Sequence, residues 1–381
     1  MTIIYFDNNA TTQIAPEVLD AMLPYLNRFY ANPGSSHNFG RHVAKKIAYA
    51  RKQVARLIGA YDDEIIFTSC GSEGDNTAIM SALHTAKDKR HIVISKVEHP
   101  AIKILCNHLK NNGYLVTEIP VDTKGRLDME TYERSLSRDT AIASIMWANN
   151  ETGIIFPVEE AAYMAKKRGV CFHTDAVQAA GKIPVNLKNS SIDMLSLSGH
   201  KFHAPKGIGA LYVKRGTKFS PFLRGGHQEN GRRAGTENCA GIIGLGMACE
   251  LAYKNMTNNI KKLKNLRDSF ESKILSGTWN SIINGAKDMR LPNTSNISFK
   301  GIDAGLFLSI INDKYGICAS AGAACNSDSE QPSHVLSAMG IPYEAIQGTV
   351  RFSFSIYNTE EEIDFASEKI LKTISELKYS S

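Results

Sequence analysis

Three kinds of reactive group are written into this chain at spacings that could make them a site. The first is Lys201, in Ser198-Gly-His-Lys201. It stands between two apolar runs, residues 192–197 and 208–213, which read as short buried strands. The Gly, Pro and polar residues between them mark a loop. A lysine desolvated in such a place loses its proton more readily and can attack a carbonyl to form a Schiff base. A lone lysine on a strand connection is otherwise a surface residue. The second group is the thiol of Cys325, which ends the small-residue run Cys318-Ala-Ser-Ala-Gly-Ala-Ala-Cys325 before a polar stretch. This reads as a loop presenting a nucleophile, with Cys318 as a small buried hydrophobe. The third is an anion pocket at Ser69-Cys-Gly-Ser72, where free backbone N–H groups and the Ser72 hydroxyl open a helix. The plainer alternative there is a serine helix cap.

Further residues gain meaning only in that company. Asp175 ends a strand and could pair with a protonated ring nitrogen, or simply cap the next helix. His99, before Pro100, could stack on an aromatic cofactor or move protons, or be structural. Arg351 lies in an alternating strand and could grip a carboxylate through two parallel hydrogen bonds, or face solvent. A metal site from His173, Asp175, His200 and His203 matches no recognised ligand spacing.

The elements that must position these groups follow an α/β pattern. Helices are expected at 16–28 and 40–58, the latter closed by Gly59. Strands at 64–68, 91–95, 114–119, 141–147 and 170–174 then alternate with helices at 75–86, 100–109, 128–136 and 158–168. That alternation predicts a mostly parallel sheet covered on both faces. Ligands of such sheets bind beyond the carboxyl ends of the strands. Ser72, His99, Asn150, Asp175 and Lys201 all fall just after expected strands. From Cys239 the pattern is helical to about residue 275. Strands at 294–299, 317–320 and 349–355, with helices at 305–312, 333–338 and 360–377, then read as a smaller α+β unit.

Composition narrows the function classes. The 381 residues suit one large domain and a smaller one. A net charge of +6, spread along the chain, does not argue for nucleic acid. The Lys-rich stretch 259–267 reads as a solvated helix face. No apolar run is long enough to span a membrane, and the opening six residues meet Asp7 too soon for a signal peptide. Seven scattered cysteines without a CxxC pair point to a reducing cytoplasm.

The chain resembles the cysteine desulfurases of the NifS/IscS group, in the class V branch of fold-type I pyridoxal-phosphate (PLP) enzymes. The resemblance is carried by Tyr5-Phe-Asp-Asn-Asn-Ala-Thr-Thr12, Asn32-Pro-Gly-Ser-Ser-His37, Phe67-Thr-Ser-Cys-Gly-Ser-Glu73, Glu98-His-Pro100, Asn149-Asn-Glu-Thr-Gly153, Thr174-Asp-Ala-Val-Gln178, Ser198-Gly-His-Lys201, Gly231-Arg-Arg-Ala-Gly-Thr-Glu-Asn238 and Ser320-Ala-Gly-Ala-Ala-Cys325. These motifs span nearly the whole chain, and the wording around residues 226–238 leans to the NifS side.

What the resemblance implies is specific. The fold would be a fold-type I PLP-dependent transferase with a mostly parallel seven-stranded sheet. Residues 15–258 would form the large PLP-binding domain, and 1–14 with 259–381 the small domain carrying the cysteine loop. Lys201 would hold PLP, Asp175 would pair with its ring nitrogen, Gln178 with its phenolic oxygen, and His99 would stack on it. Gly71, Ser72, Ser198 and His200 would hold the phosphate, with Thr236 reaching it from the other subunit of a homodimer. Asn150, Arg351 and Asn32 would serve the substrate, L-cysteine. Lys201 and His99 would move protons, and Cys325 would take the sulfur as a persulfide, leaving alanine. The partner would be a sulfur acceptor such as an iron–sulfur scaffold protein. No intrinsic metal is implied, although Cys325 could touch a transferred cluster. Cys70, Asn326 and the Phe-Ser-Phe after Arg351 depart from the commoner wording. A selenocysteine lyase, another PLP enzyme such as an aminotransferase, or a silent acceptor-binding scaffold are the alternatives.

Overall fold

Runs of β-branched and aliphatic residues with no polar interruption can be buried on both faces, and such runs form the central sheet here. The computed structural model describes residues 3–278, 280–321 and 332–379. The first half reads, in order, β1 (Ile4–Tyr5), α1 (Pro16–Asn27), α2 (Asn38–Ile58), β2 (Ile65–Thr68), α3 (Gly71–Thr85), β3 (His91–Ser95), α4 (Pro100–Asn111), β4 (Leu115–Ile119), α5 (Met129–Ser135), β5 (Thr140–Ser144), α6 (Val158–Lys167), β6 (Cys171–Asp175), β7 (Met194–Ser198) and β8 (Gly209–Val213). Seven of the strands form one sheet in the order β2-β8-β7-β6-β5-β3-β4. Only β8 runs against its neighbours, so the carboxyl ends of the other six share one edge.

Alternation splits the sheet's side chains between two cores. Ile65, Phe67, Leu195 and Leu197 enter one, with α2, α6 and the start of the long helix described next. Ile66, Ile92, Ile94 and Met194 enter the other, under α3 and α4. The second half holds α7 (Cys239–Gly277), β9 (Ser281–Ile283), β10 (Thr294–Phe299), α8 (Ala304–Tyr315), β11 (Ile317–Cys318), β12 (Ser320–Ala321), α9 (His334–Ala338), α10 (Tyr343–Gln347), β13 (Thr349–Ser353) and α11 (Glu360–Tyr379). An antiparallel sheet β12-β13-β10-β9 carries a third core. Phe6 from the N-terminus joins Phe270, Phe352 and Phe354 there, with ring centroids 4.8–6.1 Å apart. At 39 residues α7 is roughly 60 Å long and passes from the first core to this one. Among the described residues no helix is long and apolar enough to cross a membrane.

Two expected elements differ from the structure. The strand expected at 317–320 is split at Ala319: β11 pairs with β1, whereas β12 pairs with β13 in another sheet. The helix expected at 75–86 starts four residues earlier, at Gly71. Its glycines serve packing rather than a turn. A Cβ on Gly71 would lie 2.6 Å from Val177, and one on Gly74 would lie 2.8 Å from Ser196 Oγ. Glycine lets the helix start press against the sheet.

One buried ion pair fastens the loop before α7 to this frame. Glu229 has left-handed backbone, with φ 50°, a conformation that costs a non-glycine residue about 1 kcal/mol or more. Its carboxylate accepts two hydrogen bonds from Arg51, at 2.6 and 2.7 Å, and one from Phe67 N at 3.0 Å. Glu229→Ala keeps the strain and strands the Arg51 guanidinium. We expect it to lower unfolding stability by about 3 kcal/mol in urea titration. A loss below about 0.5 kcal/mol would show that the loop relaxes without its anchor.

Candidate active site

The shared carboxyl edge opens into a cavity of about 530 Å³. It is lined by ten of the expected site residues: Gly71, Ser72, His99, Asn150, Asp175, Gln178, Ser198, His200, Lys201 and Arg351. The loops after β2, β3, β5, β6 and β7 deliver nine of them, and β13 of the smaller sheet delivers Arg351.

Lys201 ends a single 3₁₀ turn, Gly199–Lys201, directly after β7. Its Nζ donates to the main-chain carbonyls of Asn9 and Ala10, each at 2.7 Å. Burial, helped by the Arg351 charge, pushes its pKa down to about 8, while Asp175 and Asp7 resist. An amine in that range is partly unprotonated at neutral pH, as a carbonyl-attacking lysine must be. Asp175 closes β6 and is 5% exposed. Its Oδ1 accepts from Val177 N at 2.8 Å, so it also forms the local turn that was the plainer reading. Burial raises its pKa, and the His99 and Lys201 charges pull against that. His99 caps α4, its Nδ1 accepting from Ala101 N at 3.2 Å, and also faces the cavity. Burial lowers its pKa, so its neutral form prevails.

An anion fits the end of the cavity at α3. The helix begins at Cys70 with no side-chain cap, so the serine-cap alternative fails. Ser198 Oγ is buried without a hydrogen-bond partner among the described residues. An orphaned hydroxyl beside an uncapped helix N-terminus is what a phosphate would satisfy. His200 bonds Thr11 Oγ1 through Nδ1 at 3.1 Å, and burial with nearby lysines brings its pKa down to about 4.

Across the cavity Arg351 is only 8% exposed, which removes the solvent-facing reading. Its Nη2 donates to Asp7 Oδ1 at 2.6 Å and its Nη1 to the Asn150 carbonyl at 3.2 Å. Gln178 Nε2 donates to Asn9 O at 3.0 Å, while its Oε1 accepts from the buried amine of Lys182 at 2.7 Å.

Other expected residues are not brought here. Asn32 is exposed and folds back on its own loop, its Oδ1 accepting from Gly34 N at 2.8 Å. Thr236 is exposed and outside the cavity of its own chain. Cys325 lies outside the described residues. The metal grouping does not form: His173 is clamped between Ser144 and Ser196, and His203 bonds Gln13 O. Among the described residues no cluster of three or more His, Cys, Asp or Glu could hold a metal ion.

Sequence reasoning missed Asp7, Asn9, Asp75 and Glu151, which also line the cavity. Asp7 and Asn9 read as turn formers. Their signal was a polar Asp-Asn-Asn cluster immediately after a strand-like apolar entry. Glu151 is buried and raised to about 7, its Oε2 accepting from Ser333 Oγ at 2.5 Å.

Comparison with known proteins agrees with this architecture. The family model described as aminotransferase class-V matches residues 4–365. A protein named cysteine desulfurase from Trichormus azollae is 53% identical over 99% of this chain and 94% of its own. Cysteine desulfurase NifS of Azotobacter vinelandii is 52% identical, with the same coverage. A solved NifS-like protein superposes with a TM-score of 0.92 at 37% identity, covering 98% of this chain and all of its own. Together with the fold and the lysine–aspartate cavity, these matches show that the chain belongs to the class V aminotransferase family, in its cysteine desulfurase branch.

Proposed function

We propose that the cavity holds PLP and that the chain moves sulfur from L-cysteine to the thiol of Cys325. The observation that carries this reading is one cavity that joins a deprotonatable lysine, a buried aspartate and an unsatisfied anion cradle. Lys201 would bind the cofactor's carbonyl carbon, and Asp175 would face its ring nitrogen. His99 would cover the ring, Gln178 would meet the phenolic oxygen, and Gly71, Ser72, Ser198 and His200 would take the phosphate. Thr236 of a second subunit would complete that cradle in a homodimer. Bound there, PLP supplies an electron-withdrawing ring that acidifies the α-proton of an attached amino acid.

The chain's own residues divide the remaining work. Arg351 and Asn150 hold the amino acid, Arg351 by its carboxylate. Lys201 Nζ, once free, takes the α-proton and returns one to carbon. The Cys325 thiolate attacks the substrate sulfur. The carbon–sulfur bond breaks, a sulfur–sulfur bond forms, and carbon gains the proton that completes alanine. The net change is cysteine plus a thiol giving alanine plus a persulfide, with no outside oxidant. An acceptor protein, such as an iron–sulfur scaffold, would then take the sulfur.

Purified protein supplied with PLP should turn yellow and form alanine and sulfide in equal amounts from L-cysteine with a reducing thiol. A colourless product that stays inert after added PLP would overturn the reading.

A further inference from the structure

We propose that Asp7 is an internal placeholder for the substrate carboxylate on Arg351. The inference rests on the reading of Arg351 as the carboxylate grip and adds what occupies that grip beforehand. A guanidinium binds a carboxylate strongly when two parallel N–H groups point at its two oxygens. Neither usable pair is open in this structure. Nη2 is spent on Asp7 Oδ1 at 2.6 Å, and Nη1 on the Asn150 carbonyl at 3.2 Å. Nε is buried without a partner among the described residues. Removing Asp7 alone would free Nη2 beside that idle Nε and complete a side-on fork.

The Asp7 backbone cannot easily leave. It bridges Ser353, and its carbonyl accepts from Ala10 N at 3.0 Å. The next residues are pinned as well, with Asn8 N donating to Ser353 O at 3.1 Å and Asn9 N to Ser353 Oγ at 2.9 Å. The side chain, however, needs only a χ rotation, and its partly exposed carboxylate has the cavity's solvent to turn into. A buried Arg351 therefore keeps a counter-charge when the site is empty, avoiding the cost of an unpaired buried cation. An incoming amino acid exchanges one carboxylate for another. A ligand without a carboxylate cannot make that exchange and leaves Asp7 in place. The placeholder thus acts as a specificity device: it charges every ligand for displacement and returns the gain only to carboxylates.

The two possible roles of Asp7 predict opposite signs. If Asp7 merely orients Arg351, removing its charge loosens the guanidinium and weakens carboxylate binding. If it is a competitor, removing its charge tightens binding. The test uses the PLP-loaded enzyme and two unreactive amines, L-alanine and ethylamine, which differ only by the carboxylate. Binding is read from the change in the visible absorption band. Asp7→Asn should tighten L-alanine by about tenfold, since the competing ion pair is gone, and should leave ethylamine within about twofold. Asp7→Ser should shift L-alanine in the same direction. Weaker L-alanine binding in both variants, or equal shifts for both ligands, would overturn the proposal. Arg351→Gln separates the two levels: if it does not weaken L-alanine relative to ethylamine, the reading of Arg351 itself has failed.

Discussion

Lys201→Ala should leave a protein that folds, binds PLP only reversibly and has lost at least about a thousandfold in alanine formation. Borohydride should no longer fix the cofactor to the chain, whereas it should in the parent. Three observations make the expected effect this large. Lys201 is the only amine lining the cavity among the described residues, since Lys182 sits behind Gln178 and Asn9. Its position is set by a turn locked to β7 and by two carbonyl acceptors at 2.7 Å. Its pKa, brought down to about 8, gives it a useful fraction of free base. The sign of the pH dependence follows. Only the uncharged amine attacks carbon, so capture of PLP by the cofactor-free protein should rise with pH, pass half-maximum near pH 8 and level off above it. Lys201→Arg should be as inactive as Lys201→Ala, because a guanidinium keeps its proton throughout. Retention of more than about a tenth of the activity in either variant would remove Lys201 from the chemistry.

Much of this site was readable because its residues obey a local rule. Ser72, His99, Asn150, Asp175 and Lys201 each follow a strand whose apolar run is unmistakable, and parallel strands bring their carboxyl ends to one edge. What was illegible depends on long-range partners. Asp7 meets Arg351 across 344 positions of sequence, and Asn9 gathers Lys201, Gln178, Lys182, Asn150 and Thr294 around one carboxamide and its carbonyl. No periodicity encodes such a hub; an Asn in a polar turn looks the same with or without it. The start of α3 was misplaced for a related reason. Glycine reads as a loop signal, but at Gly71 and Gly74 it answers to the sheet surface beneath. Asn32 and Thr236 show the opposite limit. Their expected roles come from a resemblance, and the single chain leaves both exposed.

Cys325→Ala should reduce sulfide release from L-cysteine at least about a hundredfold while leaving PLP binding and its visible band unchanged. The other cysteines are poor substitutes. Cys106 and Cys249 are buried, and burial raises both thiols, Cys106 to about 12. Cys239 and Cys318 are also raised, first by burial and then by a neighbouring carboxylate. A thiol held in its protonated form is a weak nucleophile. Cys70 is the exception, because it lines the cavity at the start of α3. The chain around Cys325 is tied to the same cavity on both sides. Ser320 and Ala321 line it. Beyond the undescribed residues, Ser333 Oγ bonds Glu151 at 2.5 Å and His334 Nε2 bonds the Glu98 carbonyl at 3.0 Å. Mass spectrometry after one turnover without a reducing thiol separates the two acceptors. A gain of one sulfur atom on the peptide holding Cys325, absent in Cys325→Ala, is the expected result. The same gain on the Cys70 peptide, with sulfide release intact in Cys325→Ala, would move the persulfide to the helix start and end the role assigned to Cys325.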